Sequence, residues 1–187
     1  MVIGIAGMPG AGKDVIKEII HKYGFPVIVM GDEVRAEAAL RNLEPTPKNL
    51  GRLMLQLRAE EGMDAVARRC MRKIENLDAD VIVINGLRSP QEVEFFRREF
   101  PYFKVVAVHS SPKTRFERLL KRGRCDDPKD WETFSARDKR ELNVGIGEVI
   151  AMADYIIVNE GTIEELEGEV KKVIERLVGD GYSNKGC

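Results

Sequence analysis

The stretch Val2-Ile-Gly-Ile-Ala-Gly-Met-Pro-Gly-Ala-Gly-Lys-Asp14 passes from an apolar, β-branched-rich run into a glycine-rich turn, and the residues after it are amphipathic. Gly7, four intervening residues, Gly12 and Lys13 form the frame of a phosphate-binding loop placed between a strand and a helix. Backbone N–H groups of such a loop surround a phosphate, and the helix that follows adds the positive end of its dipole. A strand, two motif glycines, a lysine and an amphipathic helix coincide here, so a glycine-rich turn with an exposed lysine is the weaker reading. Residues Gly7, Met8, Pro9, Gly10, Ala11, Gly12 and Lys13 are therefore expected to hold the phosphates of a nucleotide such as ATP. Lys13 is expected to follow charge on the transferring phosphoryl group. The next position, where the motif has Ser or Thr, is Asp14.

Working outward, five apolar runs recur: Val2 to Ala6, Val27 to Met30, Val81 to Ile84, Val105 to Val108 and Tyr155 to Val158. They do not alternate polar and apolar residues, as expected of parallel strands covered on both faces. Between them lie patterns with apolar spacings of three and four, such as Val15, Ile16, Ile19 and Ile20, and later Leu166, Val170, Val173, Ile174 and Leu177. The repeated strand–helix order predicts a three-layer α/β/α domain on a five-stranded, mostly parallel sheet. Residues 31–78 read as an extra helical region with a turn at Glu44-Pro45-Thr46-Pro47, 122–140 as a short lid, and 179–187 as a frayed tail.

With 187 residues, 43% of them apolar, the chain is long enough for one domain with a sizeable core. A net charge of −1 argues against nucleic acid or a membrane surface as a general partner. The three cysteines, Cys70, Cys125 and Cys187, are scattered, which suits neither a disulfide framework nor a zinc cluster. The expectation is a reducing, cytoplasmic setting without a targeting segment.

Ligands of open α/β sheets bind beyond the carboxyl ends of the strands. The exits here are the glycine loop, Gly31-Asp32 with Arg35 one turn on, Asn85-Gly86-Leu87-Arg88, His109-Ser110-Ser111-Pro112, and Asn159-Glu160-Gly161. A basic patch follows the fourth: Lys113, Arg115, Arg118, Lys121, Arg122 and Arg124, with Glu117 the one acid among them. Arg118 and Arg122 share a helical face. A solvated helix face is the plain alternative, but Arg137 and Arg140 return after a polar excursion, which suits a flap closing over a polyphosphate. His109 is more simply a packed residue than a catalytic one. Trp131 is expected to anchor the flap.

These residues resemble the P-loop nucleoside monophosphate kinases, with adenylate kinase and dephospho-coenzyme A kinase nearest, and more narrowly adenylate-kinase-related proteins of archaea. Gly31-Asp32-Glu33-Val34-Arg35 is similar to the start of the monophosphate-binding region, and Asn85-Gly86-Leu87-Arg88 to the segment after the third strand. The resemblance implies that Arg35 and Arg88 hold the acceptor phosphate. It implies that Arg118 and Arg122 enter the lid and Arg137 and Arg140 leave it, with Arg122 and Arg137 over the transferring group. Asn159 and Gly161 would contact the donor nucleotide. The implied activity is ATP- and Mg²⁺-dependent phosphoryl transfer to a nucleoside monophosphate. Transfer to a ribose hydroxyl, with Asp32 as base, and a regulatory ATPase stay open beside it. Two departures concern the metal: Asp14 replaces a hydroxyl, and Asn85 stands where an aspartate is expected. The hypothesis is that Asp14 supplies at the Mg²⁺ the charge that position 85 lacks, against the alternative that it only favours its helix's first turn.

Overall fold

The computed structural model describes residues 1–124 and 127–183. Its strands are β1 (Val2–Ala6), β2 (Val27–Val29), β3 (Ile82–Leu87), β4 (Phe103–His109) and β5 (Tyr155–Val158). All neighbours pair in parallel, in the order β2-β3-β1-β4-β5. Helices α1 (Lys13–Lys22), α2 (Met30–Leu40), α3 (Pro47–Glu61), α4 (Ala65–Ile74), α5 (Pro90–Glu99), α6 (Pro112–Arg122), α7 (Trp131–Val144), α8 (Ile146–Ala151) and α9 (Ile163–Ser183) complete the chain. This is the expected α/β/α architecture.

The central strand β1 is buried at every position, because it pairs on both edges and is covered on both faces. On one face its neighbours Ile84, Leu87 and Val105 pack with Val34, Leu57, Cys70 and Phe96 from the helices between β2 and β4. On the other, Ile3, Ile5 and Val106 pack with Ile16 and Ile20 of α1 and Val170, Ile174 and Leu177 of α9. Each fully buried Ile, Leu or Phe contributes about 1.5–3 kcal/mol, so two such layers anchor the strand ends that carry the polar exits.

Local differences from the expected boundaries have physical causes. Met30 belongs to α2 rather than β2, since Asp32 and Glu33 in the first turn suit the positive end of a helix. Strand β3 continues past Ile84 through a bulge: Ile5 pairs with Asn85 but Ala6 with Leu87. The extra residue is Gly86, at φ 112, in the left-handed region that glycine alone enters without strain. Asn85 is thus a strand residue rather than a loop residue. Within the expected lid, Asp130 caps α7 by accepting from the Thr133 N–H (2.7 Å), and all of 131–140 is helix. Of the expected tail, residues 179–183 belong to α9, while residues 184–187, including Cys187, lie outside the described residues, as do Cys125 and Asp126 of the lid. Among the described residues no helix is long and apolar enough to cross a membrane.

Candidate active site

The carboxyl ends of the strands open into a cleft of about 720 Å³, walled by the glycine loop, α2, α3, the end of β3, α6, α7 and the β5 exit. It brings together Lys13, Asp14, Arg35, Asn85, Arg88 and Arg118, and with them Arg122, Arg137, Asn159 and Gly161.

At the glycine-loop end, the Lys13 ammonium donates to the Gly7 carbonyl (2.5 Å) and the Met8 carbonyl (3.1 Å), which bends it over its own loop. Burial, and then the nearby Arg88 guanidinium, push its pKa down to about 7. Met8 and Ala11 are buried and stand off the cleft, so they act through their backbones. The Ala11 carbonyl accepts from Asn159 Nδ2 (2.9 Å). Gly12, at φ 102, is where a Cβ would collide with that amide nitrogen. Asn159 is in turn gripped by Arg118, whose Nη1 donates to its carbonyl (3.0 Å) and Nη2 to its Oδ1 (3.2 Å). Asn159 and Arg118 therefore brace the loop from behind.

Arg115 is a residue that sequence reasoning left in the basic patch without a role. It is buried, donates from Nη1 to the Pro9 carbonyl (3.1 Å), and makes a two-pronged pair with Asp138 of α7 (2.9 and 2.5 Å). Its guanidinium also lies 5.0 Å from the Phe134 ring centre. The signal available was its place four residues before Leu119, on the buried face of α6. The patch divides accordingly: Lys113 and Lys121 face solvent, whereas Arg115, Arg118 and Arg122 turn inward.

Asp14 lies at the mouth of the loop, about half exposed, and its Oδ2 pairs with Arg122 Nη1 (3.1 Å) and Arg124 Nη2 (3.0 Å). Arg122 also grips Asp127 from Nε (2.9 Å) and Nη2 (2.5 Å), and Arg137 Nη1 stands 3.8 Å from the same carboxylate. Burial works against charge on Asp127, but the Arg122 bond, the Arg124 amide and Arg137 hold its pKa below the usual carboxylate value. Trp131 packs edge-on against Phe116 of α6 (5.3 Å) and beside Phe134 (5.1 Å), joining α6 to α7.

At the other end, Arg35 lines the cleft but Asp32 does not; Asp32 instead accepts from Arg35 Nη1 at 2.6 Å. The structure thus ties the expected base to Arg35 on an exposed helix face. Arg88 meets a carboxylate that the sequence did not single out: its Nη1 is 2.7 Å from both oxygens of the buried Glu141 on α7. Behind it Glu92 accepts from the Arg88 N–H (2.7 Å) and the Ser89 N–H (3.2 Å), closing a capping box on α5, and from Arg58 Nη2 (2.5 Å). Burial, opposed by Arg58, leaves the Glu92 pKa raised. Among the described residues, three buried polar atoms of the cleft have no hydrogen-bond partner: Arg58 Nε, Arg140 Nε and Asn85 Oδ1. Arg140 rests on the backbone of Gly51 in α3, with its Cζ 3.6 Å from where a Cβ would stand. Helix α7 therefore reaches both sides of the cleft, Asp138 toward the glycine loop through Arg115, and Arg140 and Glu141 toward α3 and Arg88. Cys70 is buried, which pushes its thiol up to about 12 and takes it out of reactive range.

Comparison with known proteins places this geometry. Residues 6–135 match the family profile described as AAA domain. The chain is 49% identical to a UPF0200 protein of Hyperthermus butylicus, over 97% of both proteins. It is 50% identical to one of Pyrococcus furiosus, over 97% of this chain and 99% of that one. A third, from Methanocaldococcus jannaschii, is 46% identical over 96% of this chain and 92% of its own length. Among solved structures the fold is similar to TT1252 from Thermus thermophilus, with a TM-score of 0.63 and 20% identity over 95% and 97% of the two chains. A shikimate kinase from Aquifex aeolicus gives 0.56 at 16% over 97% and 98%. A gluconokinase from Sinorhizobium meliloti 1021 gives 0.59 at 17% over 98% and 96%. At these identities the likeness lies in the fold.

Proposed function

We propose that this chain, which belongs to the UPF0200 family and carries the AAA domain, is an ATP-dependent small-molecule kinase. On this reading it moves the γ-phosphoryl group of ATP to a small anionic acceptor, a nucleoside monophosphate first of all. One observation carries it. A single cleft has the glycine loop and Lys13 at one end, Arg35 and Arg88 at the other, and Arg122 and Arg137 among the residues that line it. A protein that only binds and hydrolyses ATP has no use for the acceptor-side arginines.

In this reading the loop amides and Lys13 hold the donor phosphates, with Lys13 regaining its proton as the polyanion arrives. Arg118 and Asn159 keep the loop in shape. Arg122 and Arg137 stabilise charge on the transferring group, and Arg35 and Arg88 set the acceptor in line, so that catalysis is mainly positioning and electrostatics. Met30, Val34, Met54 and Val66 give the acceptor end an apolar wall suited to a planar base.

The chemistry calls for Mg²⁺, and the residues present fit it. Asn85 offers a buried carbonyl oxygen without a partner, and Asp14 a carboxylate in the same cleft. Mg²⁺ on a nucleotide needs only one or two protein oxygens besides phosphates and waters. When bound it neutralises charge between the phosphates. We assign Asp14 and Asn85 to its surroundings; metal titration of Asp14→Ser, Asn85→Asp and the double variant tests their compensation, which fails if the single effects simply add.

A second reading, transfer to a hydroxyl, is favoured by one feature: the buried carboxylate of Glu141 in the cleft, a group that can accept a hydroxyl proton. Asp32, the base expected from the sequence, serves this reading less well from outside the lining. The deciding experiment is a phosphoryl-transfer screen of the purified protein with ATP and Mg²⁺ against all nucleoside monophosphates and dephospho-coenzyme A. Transfer to a monophosphate supports the first reading and transfer to the ribose hydroxyl the second. Slow hydrolysis with no transfer sinks both in favour of a nucleotide-dependent switch.

A further inference from the structure

We propose that Asp14 determines which form of the nucleotide the donor site takes: the metal complex of a nucleoside triphosphate, in preference to the bare polyanion. The inference rests on the donor-site reading above and goes beyond it to the role of one side chain.

The geometry is an anion held where an anionic ligand must come. Asp14 stands in the first turn of α1, directly after the loop lysine, and its Oδ2 is shared by Arg122 and Arg124 at the end of α6. Arg122 is itself held by Asp127, so the pair is presented from a braced position. A bare triphosphate approaching Lys13 meets the Asp14 carboxylate at close range and finds both arginines already matched with it. A triphosphate that carries a divalent cation brings a partner for Asp14. The carboxylate turns to the cation or its water, and Arg122 and Arg124 pass to phosphate oxygens, so that every charge keeps a counter-charge. The hydroxyl that the motif ordinarily has at this position would repel nothing and would leave the arginines without this partner. Asn85, the other oxygen assigned near the metal, is uncharged and adds no comparable discrimination. Asp14 is therefore a specificity device, and the lid arginines are its counterpart.

The test uses the full chain and calorimetric titration with ATP, once in a chelator and once with Mg²⁺. Trp131, the single tryptophan, reports in parallel by its emission on the α6–α7 junction against which it packs. The variants are Asp14→Asn, Asp14→Ser, Arg124→Gln and Asp14→Asn/Arg124→Gln. Half-exposed ion pairs are worth up to about 1 kcal/mol each, so Asp14→Asn is expected to bind bare ATP about fivefold more tightly than wild type and to lose most of the preference for the metal complex. Asp14→Ser, which removes the same charge, restores the motif hydroxyl and suits a first turn, is expected to gain as much for bare ATP while keeping part of the metal preference through its hydroxyl oxygen; the shared gain separates the effect from misfolding. With Arg124→Gln as the background, the gain from Asp14→Asn should shrink by about half, because part of the exchange has been removed. A metal preference unchanged in both position-14 variants overturns the proposal, and an equal gain in both backgrounds overturns the exchange of partners. Failure of the wild-type protein to bind ATP in either condition overturns the donor-site reading itself.

Discussion

Arg88 Nη1 lies 2.7 Å from each carboxylate oxygen of Glu141, joining the end of β3 to α7 across the cleft. Arg88 and helix α7 are thereby one electrostatic unit. Asp138, one turn earlier on α7, ties the same helix through Arg115 to the Pro9 carbonyl of the phosphate loop.

The first prediction concerns that pair. Glu141→Gln keeps the shape but removes the charge that orients Arg88. In the kinase reading, kcat/KM for the acceptor falls on the order of ten- to a hundredfold while the KM for ATP stays within about twofold. Steady-state kinetics with the acceptor found in the transfer screen measures both, and an equal loss on donor and acceptor would refute an acceptor-side role.

Lys13 supplies a pH prediction. Its pKa in the folded protein is about 7, against 10.5 for an ordinary lysine. Between those values the unfolded chain binds more protons than the folded one, so this group makes stability rise with pH from about 7 to about 10.5. Bound polyphosphate restores the charge. At pH 8 nucleotide binding should therefore take up close to one proton, about 0.9 from the pKa alone. Calorimetry in buffers of different ionisation heat reads that number, and Lys13→Met should abolish it.

Gly12 combines a φ of 102 with the collision of any Cβ against Asn159 Nδ2. Gly12→Ala is expected to cost about 1–3 kcal/mol through backbone strain and to uncouple Asn159 from the loop. Thermal denaturation gives the first effect and ATP titration the second. Adding Asn159→Ala relieves the collision but not the φ, so only part of the stability should return.

Arg58 and Glu92 form a buried pair, their side chains 3% and 0% exposed. Arg58→Met leaves the Glu92 charge uncompensated and should cost about 3–5 kcal/mol. Glu92→Gln in the same chain removes that charge while a side-chain oxygen still caps α5, so the double variant should recover at least half of the loss. Urea denaturation of the two variants decides, and a double variant no more stable than Arg58→Met would show that the cost lies in packing.

The strand–helix alternation, the glycine loop and the polar strand exits were all legible from residue order, because each rests on neighbours within a few positions. Boundaries moved where a single backbone conformation intervened, as at Gly86, whose bulge keeps Asn85 inside β3. The partners of the site residues were less visible. Arg115 read as one more cation of a basic patch, and nothing in the residue order singled out Glu141. Asp32 read as a base, whereas in the folded chain it neutralises Arg35.

The order of residues along the chain thus determined the fold class and the place of the glycine loop, since hydrophobic period and motif spacing are local properties that survive without knowledge of distant contacts. Only the tertiary structure decided which carboxylate answers which arginine: Asp14 with Arg122 and Arg124, Glu141 with Arg88, Glu92 with Arg58. These pairings join residues 34 to 110 positions apart. They follow from how the helices stack on the sheet, and a buried charge takes whatever opposite charge that packing places within a few ångströms.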